Sequence, residues 1–501
     1  MNTFNVQKKS TRVLTLCGAA MASLVLWGCS GTGATADKSF ERSDYYTRGI
    51  GQYPGNPEED FSPSLAPDHS TYRNIAFLRS AFASSSHDYN LVAQLATDGL
   101  VSDKQPQYLN LSTPEGDVPR REREWMIDEG PDSRNTFTGG DTYFQFTLAN
   151  YSKAAGKLSL VGTVVYDDKV SKGGYEIICQ GSNDGQNWTE IGKLSGSGLP
   201  GKALSYRVPV TDPNKQTDQT TTMPVRKLNE TITFDKEVAY SAYRVLLKMA
   251  GAHDWVFTEA NFLDRDGLVE MKPSQFFNSA WMSATAGEEW LYVDLGSRSE
   301  FDKVNLHWIN KAVKGKIQVS DDAKQWKDAA ELPGGDGLND EITLNDKLQA
   351  RYVRVLMQEP ANGSRYILSE MEVMGKGGLV ARPVASPAVS KGEMNLSGGN
   401  WRLQRASEVN ASGEEISTSE FKPENWIVAT VPGTVLSSYK NIGAIADPNY
   451  ADNQLQVSES FFWSNFWYRD EFEVPEGFKQ DRLFLNFDGI NWKANVYLNG
   501  K

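Results

Sequence analysis

Apolar and polar residues alternate with a period of two in matched segments of this chain. One segment reads Gly174-Tyr-Glu-Ile-Ile-Cys-Gln-Gly-Ser182, the other Gly315-Lys-Ile-Gln-Val-Ser320. Each is followed by a turn rich in Asp, Asn, Gly or Lys and then by a tryptophan, Trp188 or Trp326. That order predicts a hairpin. Downstream, Ala242-Tyr-Arg-Val-Leu246 and Arg351-Tyr-Val-Arg-Val-Leu356 form a second matching pair, so the middle of the chain reads as an imperfect duplication. The interval from Trp188 to Arg244 is twice that from Trp326 to Arg354. The surplus falls near residues 198–229, rich in Pro, Thr, Asp, Lys and Gln, and predicts an extended surface excursion. Helical periodicity is scarce. Short strands with frequent Gly and Asn turns predict an all-β chain of tandem β-sandwich domains.

At 501 residues the chain is too long for one core. Residues 376–394, rich in Gly, Pro, Ala, Ser and Val, mark a linker. At the other end, Lys8, Lys9 and Arg12 precede a mostly apolar run from Val13 to Val25 that is short for a membrane span. Leu26-Trp-Gly-Cys29 follows. It resembles a bacterial lipobox, which implies a signal peptide over residues 1–28, a lipid on Cys29 and a flexible tether over 29–71. The expectation is an exported, outer membrane-associated lipoprotein held by its N-terminal lipid; an ordinary secretory leader is the competing reading.

The net charge of −13 presents no basic field, which argues against nucleic-acid binding and suits a neutral ligand. Cys17 lies in the leader and Cys29 is the expected lipid site, so Cys179 is the one cysteine left for the folded part and no disulfide framework is available there. Its apolar run predicts a buried, unreactive thiol. The four histidines, at 69, 87, 253 and 307, show no ligand spacing, so no metal or other cofactor is expected.

The second repeat adds Glu289-Trp-Leu-Tyr-Val-Asp-Leu-Gly296, Val304-Asn-Leu-His-Trp308 and Tyr366-Ile-Leu-Ser-Glu-Met-Glu-Val373. This series resembles the factor V/VIII type C, or discoidin-like, sandwich over residues 266–375. A weaker resemblance covers 72–265, opened by Phe82-Ala-Ser-Ser-Ser-His-Asp-Tyr89 and Ala96-Thr-Asp-Gly99. The second copy lacks such an opening: either it is shortened, or residues 72–100 are shared. Residues 395–501 contain Asn395-Leu-Ser-Gly-Gly-Asn-Trp401, Trp426-Ile-Val-Ala-Thr-Val-Pro-Gly-Thr434, Phe466-Trp-Tyr-Arg-Asp-Glu-Phe472 and Val496-Tyr-Leu-Asn-Gly-Lys501. They resemble the N-terminal galactose-binding-like jelly-roll domain of glycoside hydrolase family 2, in its β-mannosidase and exo-β-glucosaminidase branches. In that family two glutamates on a barrel perform retaining hydrolysis. No such series is visible here, so no catalytic residue is assigned, and this chain alone is expected to be inactive.

The discoidin resemblance implies that sugars bind on loops at one end of a sandwich, where a ring stacks on a pyranose and polar groups hold its hydroxyls. The matching loops precede the last strand of each copy. They nominate His253, Asp254 and Trp255 in the first and Arg365 and Tyr366 in the second, with a glycan as partner. Packing of Trp255 and Tyr366 into the sandwich is the competing role. Glu259 and Glu370 are expected to anchor those strands. Trp401, Trp426, Trp463, Trp467 and Trp492 are expected to pack the C-terminal domain, and the Asp447 to Asn453 turn implies a place beside the barrel. The leading reading is the accessory portion of an exported family 2 exo-β-glycosidase. A free-standing carbohydrate-binding surface lipoprotein is the alternative.

Overall fold

The structure is a computed structural model. It describes residues 12–19, 60–119, 122–130, 133–166, 174–197, 203–208, 219–249, 252–272, 278–382, 389–390, 392–398, 400–478 and 482–501. Cys29 lies outside the described residues. Every strand pairing among them is antiparallel, and the fold is all-β. No helix among them is long and apolar enough to cross a membrane.

Two compact units are present. One comprises residues 105–276; the other joins 1–104 to 277–501. The expected boundary between residues 265 and 266 is therefore corrected. Arg73–Asn74 pairs with Ile367–Lys376, and Ala81–Ala83 pairs with Glu289–Asn310, so residues 72–104 belong to the second sandwich. The opening that the second copy lacked in sequence is supplied from the far side of an insertion.

In the inserted unit, two sheets enclose a core that includes Phe144, Phe146, Leu158, Leu160, Tyr243 and Phe262. The expected excursion is a long β-arm, Ala203–Val208 paired with the first part of Gln219–Tyr240. Cys179 is fully buried, and burial pushes its thiol pKa up, as the apolar run predicted.

The repeat is exact in its turn chemistry. Ser182 Oγ accepts from Gly185 N, and Ser320 Oγ accepts from Ala323 N, both at 3.0 Å. Asp184 accepts from the amides of Gln186 and Asn187, as Asp322 does from Lys324 and Gln325. Gly185 and Ala323 both take a left-handed φ, +70° and +56°, which reverses the chain and carries the next tryptophan back over the sheet.

In the larger unit, the sandwich core includes Leu291, Val293, Phe301, Val353, Val355 and Val373, set by period-two alternation along Glu289–Asn310 and its neighbours. The C-terminal domain has its own core around Trp401, Leu403, Tyr439, Phe461 and Phe466, and Leu78 and Leu95 of the sandwich segment enter it. Asn90 Oδ1 accepts from Ser460 N at 3.1 Å and Gln94 Oε1 from Ser458 N at 3.0 Å, satisfying amides at the start of the helix Glu459–Phe462. Sandwich and C-terminal domain thus share apolar surface and hydrogen bonds from backbone amides of one to side chains of the other. Arg12–Ala19, within the run read above as leader, pairs with both Asn465–Phe472 and Ala494–Leu498. An apolar run satisfies two backbone edges in this way.

Candidate functional site

The aromatic rings nominated from the sequence are not platforms. Trp255 is fully buried; its Nε1 donates to Gly139 O at 3.2 Å and its ring meets Tyr175 edge-on at 6.5 Å. The strand Ala252–Leu263 begins earlier than the sequence suggested, so Trp255 is a core position within a strand and not a loop tip. Asp254 is buried 3.0 Å from Nδ1 of the partly exposed His253. In the second copy Tyr366 is also fully buried, and burial pushes its hydroxyl pKa up to about 12. Arg365 spends its Nε on Ala284 O at 2.9 Å. These five residues therefore stand at two separate places, and neither offers a ring face to solvent.

Glu370 anchors its strand, as expected. It is buried and accepts from Gly99 N at 3.2 Å. The neighbouring Asp98 accepts from Leu100 N at 2.9 Å and Ser279 Oγ at 2.6 Å. Burial raises both carboxyl pKa values, that of Asp98 to about 7; the Asp98 carboxylate further raises that of Glu370, and Glu408 further raises that of Asp98. The Ala96-Thr-Asp-Gly99 opening is thus tied to the last strand of the second sandwich. Glu259 is only partly buried and accepts from Asn261 Nδ2 at 3.0 Å.

In the C-terminal domain Trp401, Trp426 and Trp467 are buried, while Trp463 and Trp492 remain 47% and 58% exposed, so the packing expectation applies to three of the five. Asp447 holds its turn through Asn449 N at 3.0 Å and lies 3.3 Å from Lys440 Nζ, leaving Tyr450 exposed.

Sequence reasoning missed the outward face of the second sandwich. Trp290 and Tyr292 alternate with the buried Glu289, Leu291 and Val293 along one strand, so both point away from the core. Phe82 stands opposite Tyr292 on one side and Arg354 on the other. Tyr352 lies on the same face, and Arg354 covers Trp326 at 4.2 Å from the ring centroid. The signal was available: Glu289-Trp-Leu-Tyr-Val puts aromatic rings on the polar side of an alternating strand.

Comparison with known proteins identifies both sequence families. Residues 401–501 match the glycosyl hydrolase 2 galactose-binding domain-like family, and residues 252–372 match the F5/8 type C domain. The chain is 28% identical over 120 residues to an exo-beta-D-glucosaminidase of Streptomyces avermitilis, covering 24% of this chain and 13% of that protein. It is 32% identical over 109 residues to a mannosylglycoprotein endo-beta-mannosidase of Lilium longiflorum, covering 20% and 11%. The match thus spans a small part of either relative. Among solved structures, a chitosan-binding module of a chitosanase/glucanase from Paenibacillus sp. IK-5 is 35% identical, covering 20% of this chain and 77% of that one, with a TM-score of 0.19. A Clostridium perfringens module in complex with GalNAc-beta-1,3-galactose is 18% identical, covering 21% and 78%, with a TM-score of 0.17.

Proposed function

We propose that this chain is the accessory, sugar-binding portion of an exported family 2 exo-β-glycosidase, and that it binds glycan without hydrolysing it. The observation that carries this reading is the match of residues 401–501 to the family's galactose-binding-like domain, in a chain where that domain shares a core with a discoidin-like sandwich. The relatives that match part of the chain are a glucosaminidase and a mannosidase, which supports β-linked hexosamine- or mannose-containing glycans as the substrate class. The leader reading rests on Leu26-Trp-Gly-Cys29: a Cys29→Ser chain should lose lipid incorporation and membrane association.

Incubation with chromogenic β-mannoside, β-galactoside and β-glucosaminide tests the non-catalytic half of the reading. No turnover is expected. Hydrolysis that scales with protein and persists through repurification contradicts it.

A further inference from the structure

The duplication supplies an internal control for the outward aromatic face. Both copies place an arginine over the tryptophan that follows the repeated turn, Arg244 over Trp188 at 3.9 Å and Arg354 over Trp326 at 4.2 Å. From these landmarks the registers align position by position. Arg244 faces Gln145, which faces Ser112; Arg354 faces Tyr292, which faces Phe82. Ala242 faces Thr147, where Tyr352 faces Asp294. Ser112, Gln145 and Ala242 of the inserted copy therefore occupy the places of Phe82, Tyr292 and Tyr352. The fold accepts small or polar residues there, so sandwich packing does not call for these three aromatics; Tyr143 and Trp188 keep rings at the places of Trp290 and Trp326.

In the second copy the rings form one array. Tyr292 lies 5.0 Å from Phe82 and 5.4 Å from Trp290, with interplanar angles of 24° and 20°. Trp326 is 5.5 Å and Tyr352 6.0 Å from the same tyrosine. All five are partly exposed. The surrounding charges are matched: Arg351 pairs with Asp294 at 2.8 Å, Lys316 with Asp328 at 2.6 Å, and Arg354 donates to Gln318. A contiguous aromatic surface with balanced charge at its margin suits a neutral ligand that has both apolar faces and hydroxyls.

We infer that Phe82, Trp290, Tyr292, Trp326 and Tyr352 form a stacking surface for an extended, β-linked hexopyranose chain. Equatorial linkages keep such a chain extended, so that successive sugar rings meet the row of aromatic rings, which a coiled α-linked chain does not. Matched margin charges hydrogen-bond hydroxyls without selecting an ionic polymer. This inference rests on the reading that the chain binds glycan, and it assigns that binding to the face of the sheet and not to the loops before the last strands.

The test is isothermal titration of the full chain with β-1,4-mannohexaose, chitohexaose, cellohexaose and, as the α-linked contrast, maltohexaose. The variant carries Phe82→Ser, Tyr292→Gln and Tyr352→Ala, which are the residues that the inserted copy holds. The parent should bind at least one β-linked hexaose in the range of about 0.1–1 mM and leave maltohexaose unbound. The triple variant should lose at least tenfold in affinity. Phe82→Ser and Tyr352→Ala alone, each checked by melting temperature, keep the test open should the triple variant misfold. Parent-like binding in folded variants overturns this site while leaving the glycan reading standing. Absence of binding in the parent overturns both. Self-association of the parent that the variant abolishes identifies a protein interface and overturns the inference.

Discussion

The guanidinium of Arg354 lies 4.2 Å from the centre of the Trp326 ring while its Nε donates to Gln318 Oε1 at 2.8 Å. The pair clamps the turn after one strand to the middle strand of the sheet. Replacing Arg354 with Ala removes a cation–π contact worth about 0.5–2 kcal/mol and leaves a partly buried amide oxygen short of a donor. Arg354→Lys should recover only part of this loss, because an ammonium does not match the planar fork. Chemical denaturation of the parent and the two variants should rank them parent, Lys, Ala.

The pair Asp98 and Glu370 makes stability depend on pH in an unusual direction. Both carboxyls have pKa values raised by burial, that of Asp98 to about 7. The folded state then holds more protons than the unfolded state between the ordinary carboxylate range and about pH 7. Their contribution is therefore greatest at low pH and declines as pH rises through that window. An Asp98→Asn chain should show a smaller fall in melting temperature from pH 5 to pH 8 than the parent. An equal fall in both would contradict this assignment.

Two buried rings have opposite forecasts. Trp255→Ala empties a core site and should cost about 3–5 kcal/mol, with glycan affinity of the folded fraction unchanged. Tyr366 buries a hydroxyl with no hydrogen-bond partner among the described residues. Tyr366→Phe removes that unpaired group and should stabilise the chain by about 1 kcal/mol. Thermal melts of both variants check the two signs.

Leu95 lies in the segment read as discoidin opening but packs, fully buried, in the core of the C-terminal domain. Leu95→Ala should cost about 2–5 kcal/mol. Hydrogen exchange should speed up around Tyr439 and Phe461, which share that core, as well as around residue 95. A loss confined to residue 95 and its neighbours would contradict the shared core.

The sequence shows the fold class, the duplication and the families directly, because alternation, turn residues and the Ser-x-Asp-turn-Trp pattern are local. The domain boundary was hidden because strand pairing is not local. Ala81–Ala83 finds Glu289–Asn310 across the whole insertion, and no period in the chain announces that pairing. The nominated loops failed for a related reason. Extension of the strand back to Ala252 turns Trp255 from a loop ring into a core ring, and boundaries are the least readable part of an element. The sheet-face aromatics were visible as alternation, but only the register between strands gathers Phe82, Tyr292 and Tyr352 on one surface.

One sandwich is inserted in the chain of another, and the ends of the insertion make this testable. Ser102 Oγ donates to Asn278 Oδ1 at 3.0 Å, so the chain leaves and re-enters the larger unit at nearly one point. Replacing residues 105–276 with a short Gly-Ser linker should give a soluble protein with one cooperative melting transition. It should bind β-linked hexaose as tightly as the parent. A spliced chain that fails to fold, while residues 72–265 expressed alone do fold, would contradict the nested arrangement.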